Sequence, residues 1–116
     1  MRRVVITGLG LVTPLGASVD GSWNKLIKSE SGIGKIEGFD TEDLPAKIAG
    51  HVPSVDQEDG FDPNRCLEVK EQRKVDRFIA FAIDAADQAI KDSKWTVLND
   101  KDSHRSGVLI GSGIGG

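Results

Sequence analysis

Cys66 is the only thiol in the chain, and it sits in Asn64-Arg65-Cys66-Leu67, where the neighbouring guanidinium would favour a thiolate. No histidine or asparagine is placed by sequence to serve it as a base or orienting group, so it reads as a structural thiol. His51 and His104 lie in polar, loop-like surroundings and read as solvated. No Cys/Cys or Cys/His spacing has zinc geometry. Two glycine clusters invite a phosphate-binding reading, because glycines after a strand let backbone N–H groups approach an anion at a helix N-terminus. In the first, Gly8-x-Gly10, Thr13 stands where the third glycine belongs. The second, Gly111-x-Gly113-x-x-Gly116, has the spacing but no downstream acid for a ribose.

The remaining chemistry is electrostatic. Fifteen Lys and Arg against eighteen Asp and Glu leave a net charge of −3, which argues against a general nucleic-acid coat. That charge is unevenly spread. Between Glu37 and Asp62 eight acids face one base, Lys47, and this stretch reads as a solvated surface. From Arg65 to Arg77 five bases outnumber Glu68, Glu71 and Asp76. Lys70, Arg73, Lys74 and Arg77 recur at helical spacing, which predicts one shared face able to grip a phosphate or an acidic helix, or else a solvated face with ion pairs to Glu71 and Asp76.

These residues need a scaffold, and 116 residues allow one compact domain. Val4 to Val12, running into Gly16, reads as a first buried strand. Ser18 is the expected N-cap of a first helix whose Val19, Trp23, Leu26 and Ile27 share a stripe. An irregular acidic stretch follows over about 35–65, with Pro45, Pro53 and Pro63. A long helix is predicted over about 67–91, its apolar face formed by Val75, Phe78, Ile79, Ala82, Ile83, Ala86, Ala89 and Ile90. Phe81 lies off that stripe and suggests a second, smaller buried face. Residues 106–111 read as a second buried strand. The sum is an incomplete α/β unit: two parallel strands leave edges unpaired and faces uncovered, so part of a larger domain is expected. The apolar N-terminal run is too short for a membrane span and lacks a signal-peptide cleavage site, and the single cysteine fits a cytoplasmic protein.

Taken as a set, Val4-Val5-Ile6-Thr7-Gly8-Leu9-Gly10, Thr13-Pro14-Leu15-Gly16, Trp23, Leu26, Ser31-Gly32-Ile33, Phe39-Asp40, Lys70-Glu71-Gln72-Arg73-Lys74-Val75-Asp76-Arg77-Phe78 and Ile110-Gly111-Ser112-Gly113-Ile114-Gly115-Gly116 closely resemble the N-terminus of the bacterial β-ketoacyl-[acyl-carrier-protein] synthases of type II. The resemblance spans the whole chain in order. It implies a thiolase-like fold with α-β-α-β-α layers, of which residues 1–116 form a partial N-terminal domain. It further implies a cytoplasmic homodimer that performs decarboxylative Claisen condensation in type II fatty-acid biosynthesis. In such enzymes a cysteine thiolate takes the acyl chain from acyl carrier protein, malonyl-carrier protein loses carbon dioxide, and the carbanion attacks the thioester while two histidines stabilise the developing charge.

Carried over residue by residue, the resemblance assigns no catalytic residue and no metal ligand to this chain. The nucleophile is expected in a Thr-Ala-Cys elbow beyond Gly116, and Cys66, His51 and His104 match none of the family's catalytic motifs. Lys70, Arg73 and Lys74 resemble the bases that receive the acidic helix and phosphopantetheine arm of the carrier. Ile114 resembles the isoleucine lining the acyl pocket. No cofactor is expected of the enzyme itself, since the carrier brings its own phosphopantetheine. The acidic stretch around 55–63 is longer and more polar than the family pattern. The expectation is therefore a condensing enzyme whose first 116 residues alone are inactive; the alternative is a non-catalytic module whose basic helix engages an acidic protein or phosphate.

Overall fold

The computed structural model describes residues 1–114. Helix α1 spans Val19–Ile27, strands β1 and β2 span Ile33–Lys35 and Ile48–Gly50, and a 3-10 turn covers Pro63–Arg65. Helices α2, α3 and α4 follow at Val69–Gln72, Arg77–Ser93 and Asp100–His104.

Helix α1 begins where the sequence places it. The Ser18 hydroxyl accepts a hydrogen bond from the Gly21 amide at 3.0 Å, satisfying one of the free donors of the first turn. Asp20 stands in the first turn and Lys25 in the last, both matching the helix dipole. The short strands form an antiparallel pair with Ile33 opposite Gly50 and Lys35 opposite Ile48.

The expected long helix is two helices. Asp76 adopts an extended conformation, with φ −76° and ψ 159°, and N-caps α3. Its carbonyl accepts from the Ile79 and Ala80 amides at 3.0 and 3.3 Å. The spacing of apolar residues continues across Asp76 and conceals the break, because it does not report the extended backbone there; the Asp76 side chain itself makes no cap hydrogen bond.

The two expected strands are not formed among the described residues. The only pairing near the first is an isolated bridge between Thr13 and Gly16, and Val4 is 94% exposed. Residues 106–111 carry no ladder, and Leu109 is 97% exposed. A strand exists by pairing its backbone groups with a neighbour, and neither segment has one here. Instead, the first segment lies on α3. The Leu9 amide donates to the Asp92 carboxylate at 2.9 Å, and the Leu11 amide to Gln88 Oε1 at 3.3 Å.

This contact explains the first glycine cluster. A Cβ on Gly10 would lie 1.8 Å from the Ala85 carbonyl oxygen, and one on Gly8 would lie 2.2 Å from that of Ala89. Both glycines are needed for close approach of the segment to a helix backbone. The second cluster ends at Gly116, outside the described residues.

The core is small: Ala17, Phe61 and Ala80 are buried, with Val12, Val52, Cys66, Leu67 and Phe81 packed against them. Phe61 and Phe81 meet edge to face at 4.8 Å between ring centroids. So Phe81 does mark a buried face, and in this chain it is the principal one. The expected apolar stripe of α3 is the less covered side, with Phe78 39% and Ile90 51% exposed. A radius of gyration of 17.0 Å exceeds the roughly 13 Å of a compact domain of this length, in keeping with apolar faces that the chain does not cover itself. No helix among the described residues is long and apolar enough to cross a membrane.

Candidate functional site

The basic segment is exposed but is not a single helical face. Lys70 lies in α2, Arg73 and Lys74 in the turn after it, and Arg77 opens α3. Two contacts hold α2: the Gln72 side-chain amide donates to the Leu67 carbonyl at 2.9 Å and to Asn64 Oδ1 at 3.0 Å. Lys74 Nζ pairs with Glu71 at 2.7 Å, as the spacing predicts, whereas Asp76 makes no ion pair among the described residues. Lys70 and Arg73 also stand without an ion pair there. Arg77 diverges from these three, its guanidinium lying over the Phe81 ring at 5.4 Å from the centroid. The i, i+4 spacing of Arg77 and Phe81 was the available signal for that contact.

Behind this surface a polar hub ties the 3-10 turn, α3 and the N-terminal segment together. Asp84, 2% exposed, accepts from Arg65 Nη2 at 2.5 Å, from Arg65 Nε at 3.3 Å and from Gln88 Nε2 at 2.9 Å. Arg65 Nη2 also donates to the Ala17 carbonyl at 2.9 Å. A buried carboxylate survives only when paired and fully hydrogen-bonded, and this one is. The i, i+4 pair Asp84 and Gln88 was legible as a polar interruption of the helix, but its partner Arg65 lies nineteen positions away.

Cys66 lies in a setting that disfavours its thiolate. Burial pushes its thiol up from the ordinary value, the Asp84 charge adds to that, and Arg65 offsets only part of it. The sequence suggested that Arg65 would favour a thiolate; its guanidinium is instead engaged by Asp84. No group of three or more potential metal ligands occurs among the described residues. His51 and His104 are exposed, as expected, and neither approaches Cys66 through a hydrogen bond.

The acidic stretch is partly docked. The Ser18 hydroxyl donates to Asp59 Oδ2 at 2.8 Å, and the Asp59 carbonyl accepts from the Ala17 amide at 2.8 Å. Asp59 takes φ 52° to do so. Glu37, Asp40, Glu42, Asp43, Asp56 and Glu58 are exposed, as a solvated surface requires, while Asp59 and buried Phe61 anchor the end of the stretch.

An apolar groove of about 590 Å³ runs between α1 and the N-terminal segment, lined by Leu9, Leu11, Val19, Trp23, Leu26 and Ile33. Of the stripe read on α1, Val19, Trp23 and Leu26 line this groove, while Ile27 does not and is exposed. Ile114 lies fully exposed and lines none of the principal cavities among the described residues.

Comparison with known proteins places this arrangement. The family model described as beta-ketoacyl synthase, N-terminal domain, matches residues 1–116. The chain is 51% identical over its whole length to a protein of Rhizobium meliloti named 3-oxoacyl-[acyl-carrier-protein] synthase 2, covering 28% of that protein. It is 44% identical over 99% of its length to a Vibrio cholerae protein of the same name, covering 26% of it. The chain thus spans little more than a quarter of the length of these relatives. Among solved structures, the ishigamide ketosynthase/chain length factor aligns with a TM-score of 0.64 at 31% identity, over 82% of this chain and 22% of that one. The α/β, thiolase-like fold expected from the sequence agrees with this likeness.

Proposed function

Since the chain belongs to the β-ketoacyl synthase family, matching the model of its N-terminal domain, we propose that the protein it forms part of is a 3-oxoacyl-acyl-carrier-protein synthase of type II. The observation that carries this reading is the 51% identity over the entire chain to a protein of that name. The reaction proposed is the transfer of an acyl group from acyl carrier protein to an enzyme thiolate, followed by decarboxylation of malonyl-carrier protein. The resulting carbanion attacks the acyl thioester, the enzyme thiolate leaves, and the products are carbon dioxide and a chain two carbons longer.

Within that reaction the role of this chain is to receive the carrier. Lys70, Arg73 and Lys74 form an exposed basic surface at the end of α2, suited to the acidic helix and phosphate of a carrier. Ile114 is the residue we assign to the wall of the acyl pocket. The enzyme is proposed to act as a cytoplasmic homodimer and to need no cofactor of its own. We assign no part in it to the chain's own thiol, whose pKa burial raises.

Charge reversal tests the docking role. In the full-length protein, Arg73→Glu combined with Lys74→Glu raises KM for malonyl-carrier protein at least about ten-fold, with kcat little changed and the difference shrinking at high salt. An unchanged KM refutes the assignment of these residues.

A further inference from the structure

A second charged surface lies apart from the α2 end. A cleft of about 670 Å³ is formed where α1, β1, the segment after β2 and the start of α3 come together. Its wall carries Lys25 of α1, Lys35 of β1 and Arg77 of α3, with His51 beside them and two carboxylates, Glu37 and Glu58. Among the described residues none of the three cations has a carboxylate within ion-pair distance. Lys25 is half-buried, and Arg77 is oriented by the Phe81 ring beneath its guanidinium.

We propose that this cleft binds a compact phosphate group. Three cations from three separate elements line one concavity without a carboxylate partner, and an anion held between them is attracted by all three. Arg77 supplies the planar fork that suits phosphate oxygens, while the lysines act as mobile point charges. The local excess is one positive charge, in a chain whose net charge is −3, so the cleft stands out against its surroundings. Glu37 and Glu58 on the same wall select against long polyanions, which would have to pass close to them, and leave room for a small singly phosphorylated ligand. This site is independent of the docking surface, because it uses none of Lys70, Arg73 and Lys74.

The test titrates inorganic phosphate into the full-length protein and follows binding by calorimetry, with sodium chloride matched for ionic strength as the control. The proposal expects saturable phosphate binding, weakened about ten-fold or more by Lys25→Ala with Lys35→Ala. Lys47→Ala, an exposed base outside the cleft, leaves it unchanged. Arg77→Lys, which keeps the charge and loses the fork, gives an intermediate loss. Absence of binding beyond the chloride control, or binding that survives the Lys25/Lys35 variant, overturns it. Retained condensing activity in that variant shows that it has folded, so a loss of phosphate binding is then read as loss of the site.

Discussion

Removing either partner of the Arg65–Asp84 pair should destabilise the protein unequally, because the two ends of the pair differ in burial. The Asp84 side chain is 2% exposed and that of Arg65 is 37% exposed. Arg65→Ala leaves a carboxylate in the interior whose only remaining side-chain partner is Gln88 at 2.9 Å; breaking a buried pair in this way costs about 3–5 kcal/mol. Asp84→Ala leaves a guanidinium that turns into water, so the loss is that of charge-assisted hydrogen bonding, about 1.5–3 kcal/mol. The difference of about 2 kcal/mol corresponds to roughly thirty-fold in a local opening equilibrium. Hydrogen exchange of the full-length protein, read on peptides covering Thr13 to Ala17 and α3, measures it directly. Exchange should rise far more in Arg65→Ala than in Asp84→Ala, and Arg65→Ala with Asp84→Ala together should exchange more slowly than Arg65→Ala alone. If Asp84→Ala opens the region as much as Arg65→Ala does, or if the two costs add, the reasoning about burial is refuted.

Three further outcomes follow from the same contacts. Gly10→Ala drives a methyl group to 1.8 Å from the Ala85 carbonyl and should cost about 1–3 kcal/mol in thermal or denaturant unfolding, while Gly38→Ala, with nothing within 4 Å of its Cβ, should be close to neutral. Because burial raises its pKa above the ordinary 9.0, Cys66 should be alkylated at pH 8 more slowly than an unstructured cysteine peptide. Its neutral form favours folding most fully below that ordinary value, and the benefit fades as pH rises toward the raised one; a reaction rate equal to the peptide's contradicts this. Glu71→Gln frees Lys74 from its 2.7 Å ion pair, an exposed contact of about 0.2–1 kcal/mol, so binding of a carrier protein should tighten by up to about five-fold. Unchanged or weaker binding would show that Lys74 is not held back by Glu71.

Local signals in the sequence transferred well, and those that depend on partners did not. Ser18 caps α1 because an N-cap bond is made within three residues, so its pattern is complete in the sequence. The family was legible for the same reason, as blocks of residues in order. Val4 to Val12 and residues 106–111 have the composition of buried strands, yet a strand needs a neighbour, and composition does not say which segment supplies it. Helix α3 shows how periodicity misleads when polar residues are buried: the covered face runs through Ala80, Phe81, Asp84 and Gln88, with the Asp84 charge neutralised by Arg65. The eight acids around Phe61 point to solvent by composition, whereas Asp59 and Phe61 fasten that stretch to α1 and α3.

The full-length protein, incubated with acyl-carrier protein and malonyl-carrier protein, should release carbon dioxide and form a 3-oxoacyl product two carbons longer, measured by mass spectrometry of the carrier. Residues 1–116 alone should form none. The absence of 3-oxoacyl product from the full-length protein, or its formation by the 116-residue chain, would contradict the account.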